Sequence, residues 1–146
     1  MKGYQKILIG TDFSDASVTA ARRGVELARH YDASLILLHV IEHFPEDMPS
    51  EWVAPEDRDP ATFYRERAHN ALAELAEKIG QKNAGQKVIA STSSARHEIL
   101  RFAKSERIDL IVVGWHGAGA LPVFGSTAMG VASDAPCDVM VVRTAD

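Results

Sequence analysis

Five short apolar runs punctuate the chain, and none alternates with polar residues in the manner of a half-exposed strand. They are Ile7-Leu8-Ile9, the run over 34–40 (Ser-Leu-Ile-Leu-Leu-His-Val), Lys87-Val88-Ile89-Ala90, Leu110-Ile111-Val112-Val113 and Asp138-Val139-Met140-Val141-Val142. A strand written this way is covered on both faces. That is the condition of a parallel sheet lying between two layers of helices.

The segments between the runs carry helical spacing. After the first run, Ser14 or Asp15 offers a cap, and Ala16, Ala20, Ala21, Gly24, Val25, Leu27 and Ala28 recur at helical intervals. Asp59 followed by Pro60 marks another helix start, with Leu72, Leu75, Ala76 and Ile79 on one face and an end near Gly80. A third helix is predicted from Ala95 to Glu106, with Ile99, Leu100, Phe102 and Ala103 turned inward. A short fourth helix is predicted to begin near Ser126. The order β-α-β-α-β-α-β-α-β predicts an α/β protein: a single doubly wound, five-stranded parallel sheet with helices on both faces. At 146 residues the chain reads as one domain, 1–146, with a proline-rich acidic insertion at about 41–59.

Charge and composition narrow the partners. Sixteen basic residues against twenty acidic ones give a net charge of −4, and the basic residues are scattered. Without a stripe of lysine and arginine to neutralise phosphates, a nucleic-acid partner is not expected. No apolar run approaches the ~18 residues of a membrane span, so no membrane partner is expected either. A single cysteine, Cys137, fits a reducing compartment. The start of the chain shows no signal-peptide core, and a cytoplasmic protein is expected.

In an open parallel sheet, ligands sit beyond the carboxyl ends of the strands, where the strand order reverses. Two turns stand at that predicted place. One is Gly10-Thr11-Asp12-Phe13-Ser14 after the first strand; the other is Gly114-Trp115-His116-Gly117-Ala118-Gly119 after the fourth, closing at Gly125-Ser126-Thr127. Glycines let backbone amides approach a ligand, and a helix start adds open N–H groups, which together suit a phosphate. The same glycines also serve ordinary turn and cap chemistry. Neither a Walker A sequence nor a dinucleotide fingerprint is present.

These turns carry a resemblance to the universal stress proteins that extends over essentially the whole chain. The matching segments are the opening Ile7-Leu8-Ile9-Gly10-Thr11-Asp12-Phe13-Ser14, Leu38-His39-Val40, Asp109-Leu110-Ile111-Val112-Val113-Gly114, Gly125-Ser126-Thr127 and Cys137-Asp138-Val139-Met140-Val141-Val142. The resemblance implies a Rossmann-like fold of the adenine nucleotide alpha-hydrolase type. It also implies a regulatory, stress-responsive protein that binds ATP or a related adenine nucleotide, with Mg²⁺ accompanying the nucleotide. Position by position, Asp12 and Val40 would serve the nucleoside. Gly114, His116, Gly117, Gly125, Ser126 and Thr127 would serve ribose and phosphates, Thr127 through its amide and hydroxyl. Seven residues separate Gly117 from Gly125, two fewer than the family's nucleotide-binding pattern. The alternative is a nucleotide-independent dimeric stress or adaptor protein acting through its dimer surface and acidic insertion.

Other chemistry finds little support. His39 and His43 straddle a strand end with no second pair or CxxC, so no metal site is expected. His39 reads as a half-buried strand-end residue, and His30, His69 and His97 as solvated helix residues. No nucleophile elbow surrounds Ser126, so no efficient hydrolase is expected. The resemblance implies at most slow ATP hydrolysis or self-phosphorylation on Ser126 or Thr127. Cys137 is expected to pack at the start of the last strand. Phe44, Trp52, Phe63 and Tyr64 are expected to pin the insertion to the sheet, the alternative being an interaction surface or a lid over the crevice. The last run is predicted to be an edge strand, whose apolar residues are an aggregation hazard unless covered. A homodimer through Val139, Met140, Val141, Val142 and Arg143 is expected, and the resemblance points the same way.

Overall fold

The computed structural model describes residues 3–42, 54–115 and 122–143, with side chains of the last segment described from Thr127 onward. The five strands are β1 (Lys6–Gly10), β2 (Ser34–Glu42), β3 (Gly85–Ser91), β4 (Leu110–Trp115) and β5 (Asp138–Arg143). The helices are α1 (Asp15–Tyr31), α2 (Pro60–Lys78), α3 (Ala95–Ser105) and α4 (Pro122–Asp134). All strand pairs are parallel, in the order β3-β2-β1-β4-β5. The expected doubly wound sheet is what forms, with β1 at its centre and β5 at an edge.

Strand parity sorts the core into two layers. Ile7 and Ile9 of β1, Leu35, Leu37 and Ile41 of β2, and Leu110 and Val112 of β4 pack with α1 and α2. Leu8, Leu38, Val40, Ile111 and Val113 point to the other face and pack with α3 and α4. Three consecutive residues of β1 and three of β4 have no solvent exposure: Ile7, Leu8, Ile9, Ile111, Val112 and Val113. Burial of each such side chain stabilises the fold by about 1.5–3 kcal/mol, which explains why these runs admit no polar residue.

Helix boundaries follow local chemistry. Ser14 caps α1 by accepting the Ser17 N–H, Asp59 caps α2 by accepting from Thr62, and Ser94 caps α3 by accepting from His97. Pro60 occupies the first turn of α2, where a missing N–H costs nothing. Gly80, with φ +71°, ends that helix in the left-handed region as expected. Beyond Ser94, Glu42 at the end of β2 accepts the Ala95 N–H at 2.9 Å, so one strand end closes the start of α3.

Two expectations need correction. Helix α4 begins at Pro122 rather than near Ser126. Proline at a first helical position is favourable, whereas the Gly125-Ser126 pair that suggested a cap lies one turn inside. Second, Ile41 and Glu42, expected to open the insertion at about 41, belong to β2. Of the aromatic residues expected to pin the insertion to the sheet, Tyr64 packs against the core that includes Leu37 and Ile41 of β2. Phe63 and Tyr64 belong to α2 itself, Arg58 lies 5.5 Å over the Phe63 ring, and the Ala54 N–H donates to the Tyr64 hydroxyl at 3.4 Å. Phe44 and Trp52 lie outside the described residues.

Candidate functional site

The strand order reverses between β1 and β4. From β1 the chain crosses through α1 to β2 on one side, while β4 crosses through α4 to β5 on the other. The carboxyl ends of β1, β2 and β4 therefore border the crevice that this sheet type offers a ligand.

The first turn is the best-defined part of that rim. Its polar groups form one continuous network around two buried hydroxyl residues, Thr11 and Ser17. The Thr11 hydroxyl donates to Ser17 Oγ at 2.9 Å and accepts the Phe13 N–H at 3.0 Å. Ser17 Oγ in turn donates to the Ser14 carbonyl at 2.8 Å. Asp12 Oδ1 accepts both the backbone N–H and the hydroxyl of Ser14, closing an Asx turn that leads into α1. Its second oxygen, Oδ2, has no hydrogen-bond partner among the described residues, and the side chain is half-buried. One carboxylate oxygen thus builds the turn.

Beside it, β2 ends with His39, Val40, Ile41 and Glu42. Val40 is buried on the α3/α4 face, while His39 lies on the opposite face, half-buried as expected. His39 Nδ1 is 2.8 Å from the Thr11 carbonyl. A carbonyl can only accept, so Nδ1 carries the proton and donates. Burial pushes the imidazole below its ordinary value near 6.5, and the Thr11 hydrogen bond and the Asp12 charge only partly oppose this. The ring is therefore neutral at pH 7. His30, His69 and His97 are exposed, as expected.

The lowered value has a thermodynamic consequence. Between the folded value and about 6.5, the unfolded chain binds the His39 proton and the folded chain does not. Stability from this residue is therefore level above pH 6.5 and declines as pH falls through that window. Thermal melts from pH 8 to 5.5 are expected to show the decline, and His39→Asn is expected to remove it. A melt series equally steep in the variant would contradict this.

On the other side of the crevice, Gly114 has a reason of its own to be glycine. A Cβ there would lie 2.5 Å from the Ala16 carbonyl oxygen and 2.7 Å from its carbon, so the first turn of α1 rests directly on β4. Trp115 follows, half-buried, with the Arg143 guanidinium of β5 at 5.2 Å from its ring. His116 and Gly117 lie outside the described residues. Gly125, Ser126 and Thr127 fall in the second turn of α4, past the four N–H groups a helix start leaves open, so their amides belong to the helix. Thr127 is buried.

The structure thus brings Asp12, Val40 and Gly114 to one rim, the carboxyl end of three adjacent strands. It places Thr127 inside α4. Roles that spacing alone does not assign also shape the rim: Thr11 and Ser17 as buried hydroxyls, Phe13 with φ +66°, and His39 as a hydrogen-bond donor. The signal available for His39 was its place within an otherwise apolar run. Elsewhere, Cys137 is half-buried at the start of β5, and burial, followed by the charges of Asp138 and Asp109, pushes its thiol up. That is the opposite of a reactive thiolate. No helix among the described residues is long and apolar enough to cross a membrane.

Comparison with known proteins agrees with this architecture. The family model described as the universal stress protein family matches residues 3–143. Universal stress protein A homolog 1 of Coxiella burnetii is 32% identical over 140 residues, covering 95% of this chain and 96% of that one. Among solved structures, the universal stress protein UspA from Lactobacillus plantarum superposes with a TM-score of 0.71 at 27% identity, covering 97% of this chain and 99% of that one. A universal stress protein family protein from Arabidopsis thaliana, solved with AMP bound, shares the fold with a TM-score of 0.66 at 20% identity, covering 97% and 92%.

Proposed function

This chain belongs to the universal stress protein family, and we propose that it is a cytoplasmic regulatory protein of the stress response that binds ATP or a related adenine nucleotide. The observation that carries the reading is the Asp12 carboxylate, whose Oδ2 has no hydrogen-bond partner among the described residues. It is held by an Asx turn at the carboxyl end of the central strand, beside the strand-order reversal. The Arabidopsis neighbour, solved with AMP, is the precedent for such a ligand on this fold. The whole chain, 1–146, acts as a single domain, with the acidic insertion between β2 and α2 in the chain order.

In this reading a ribose hydroxyl donates to Asp12 Oδ2, and the adenine lies along the end of β2 at Val40. The resemblance assigns Gly114, His116, Gly117, Gly125, Ser126 and Thr127 to ribose and phosphates. A bound nucleotide, with Mg²⁺ on its phosphates, supplies a reversible state for partners to sense. The chain's residues bind and orient it. Gly117→Val tests the loop, since a branched side chain there blocks backbone approach to a phosphate. The variant is expected to lose ATP binding in a calorimetric titration, and unchanged affinity would show the loop assignment to be wrong.

The edge strand supports a homodimer. In β5, Val139, Met140 and Val141 are each only half-buried in the single chain, and β5 pairs with β4 alone among the described strands. Pairing with a second copy through residues 139–143 covers that edge. Sedimentation velocity is expected to give the mass of a dimer; a monomer at all concentrations would end this reading. The same edge, together with a Gly114 fully accounted for by α1 packing, favours a second function: a nucleotide-independent dimeric adaptor.

A further inference from the structure

His39 touches the first turn on both sides of Asp12. On one side its Nδ1–H donates to the Thr11 carbonyl at 2.8 Å. On the other, its ring lies against Phe13, with centroids 4.4 Å apart and planes inclined by 34°. Asp12 is the residue between these two contacts. Thr11 is also held from the strand, since its N–H donates to the Leu38 carbonyl at 2.9 Å. Consecutive residues of β2 thus fasten both backbone groups of Thr11.

The Phe13 contact has an energetic role. Phe13 adopts φ +66°, a left-handed conformation that is costly for a bulky aromatic residue. Such a conformation persists only where its surroundings over-determine it. Here the Thr11 hydroxyl fixes the Phe13 N–H, and the imidazole face holds the ring. The direction of the Asp12 side chain depends on these backbone angles, because Oδ1 is tied to Ser14 in the next position.

We propose that His39 is a positioning residue for the ligand site: its ring, fastened to Thr11 through Nδ1–H and packed against Phe13, sets the angle at which Asp12 presents Oδ2 to a ribose hydroxyl. This rests on the nucleotide reading above and adds to it a residue that need not touch the ligand. In the neutral ring, donation from Nδ1 leaves Nε2 as the unprotonated nitrogen.

The test uses the full chain, isotopically labelled, with two variants. His39→Leu fills the position with an apolar side chain and removes the donor. His39→Asn keeps an N–H near the position of Nδ1. Without nucleotide, nitrogen NMR of the parent is expected to show His39 neutral and protonated at Nδ1. The amide signals of Asp12, Phe13 and Ser14 are expected to shift in His39→Leu and to return toward the parent in His39→Asn. In titrations with ATP, His39→Leu is expected to bind about fivefold to tenfold more weakly, the loss of one hydrogen bond, with His39→Asn largely restored. A ring protonated at Nε2, or first-turn signals indifferent to both variants, overturns the proposal. Equal affinity in parent and His39→Leu also overturns it. If the parent binds no ATP, the nucleotide reading fails by itself, while the tautomer and amide signals still decide whether His39 sets the turn. Should His39→Leu fail to fold, the parent's tautomer and the His39→Asn signals carry the decision.

Discussion

Replacing Gly114 with alanine is expected to destabilise the fold by about 2–3 kcal/mol, the upper part of the range for overpacking a close contact. The new methyl group would sit 2.5 Å from the Ala16 carbonyl oxygen and 3.0 Å from the Ser17 nitrogen. These are backbone atoms of the first turn of α1, so no side chain can swing away. Relief requires lifting the helix from β4, and the helix start is tied through Ser17 to the Thr11 network. Gly10 provides the internal contrast. There a Cβ would meet the tips of Val113 and Ile99 at 3.3 and 3.4 Å, contacts that small side-chain shifts can absorb. Chemical denaturation should place the Gly114→Ala midpoint well below that of the parent, with Gly10→Ala closer to it. A Gly114→Ala midpoint equal to the parent's would show that α1 does not rest on β4 as described.

Asp12→Asn is expected to separate the two duties of that side chain. An amide oxygen can still accept the Ser14 N–H, so the turn and the start of α1 survive with little change in stability. What disappears is the charged acceptor offered to a ribose hydroxyl. Hydrogen bonds to charged groups contribute about 1.5–3 kcal/mol, so ATP affinity is expected to fall roughly tenfold to a hundredfold. Near-parent melting together with a large affinity loss is the expected combination. Parent-like affinity would remove Asp12 from the site. A collapse of stability would mean that the carboxylate's charge serves the turn itself.

The sheet was legible because burial on both faces leaves short runs without polar residues, and five such runs alternate with segments of helical spacing. Ile111, Val112 and Val113 are wholly buried, and nothing polar interrupts them. The capped helices were legible for an equally local reason: Ser14, Asp59 and Ser94 each accept an N–H three residues on. The start of α4 was not legible, because Gly125-Ser126 and Pro122 both carry start signals and only packing chooses between them.

The rim of the site was legible in part. Asp12 and Val40 come to the crevice because the sheet order brings their strands side by side. The roles of Thr11, Ser17 and His39 depend on contacts across β1, β2 and α1, which no spacing in the chain reveals. Gly114 carried a different lesson. The missing Cβ there makes room for the first turn of α1, a duty that no spacing in the chain reveals.

The most direct test of nucleotide binding begins with the native protein. Whatever small molecule co-purifies should be released and identified by mass spectrometry, and the stripped chain then titrated with ATP and Mg²⁺ by calorimetry. An adenine nucleotide near one per chain, or rebinding at micromolar concentrations, is the predicted result. A protein that purifies empty and gives no heat with millimolar ATP would contradict it and leave the dimeric adaptor as the function to pursue.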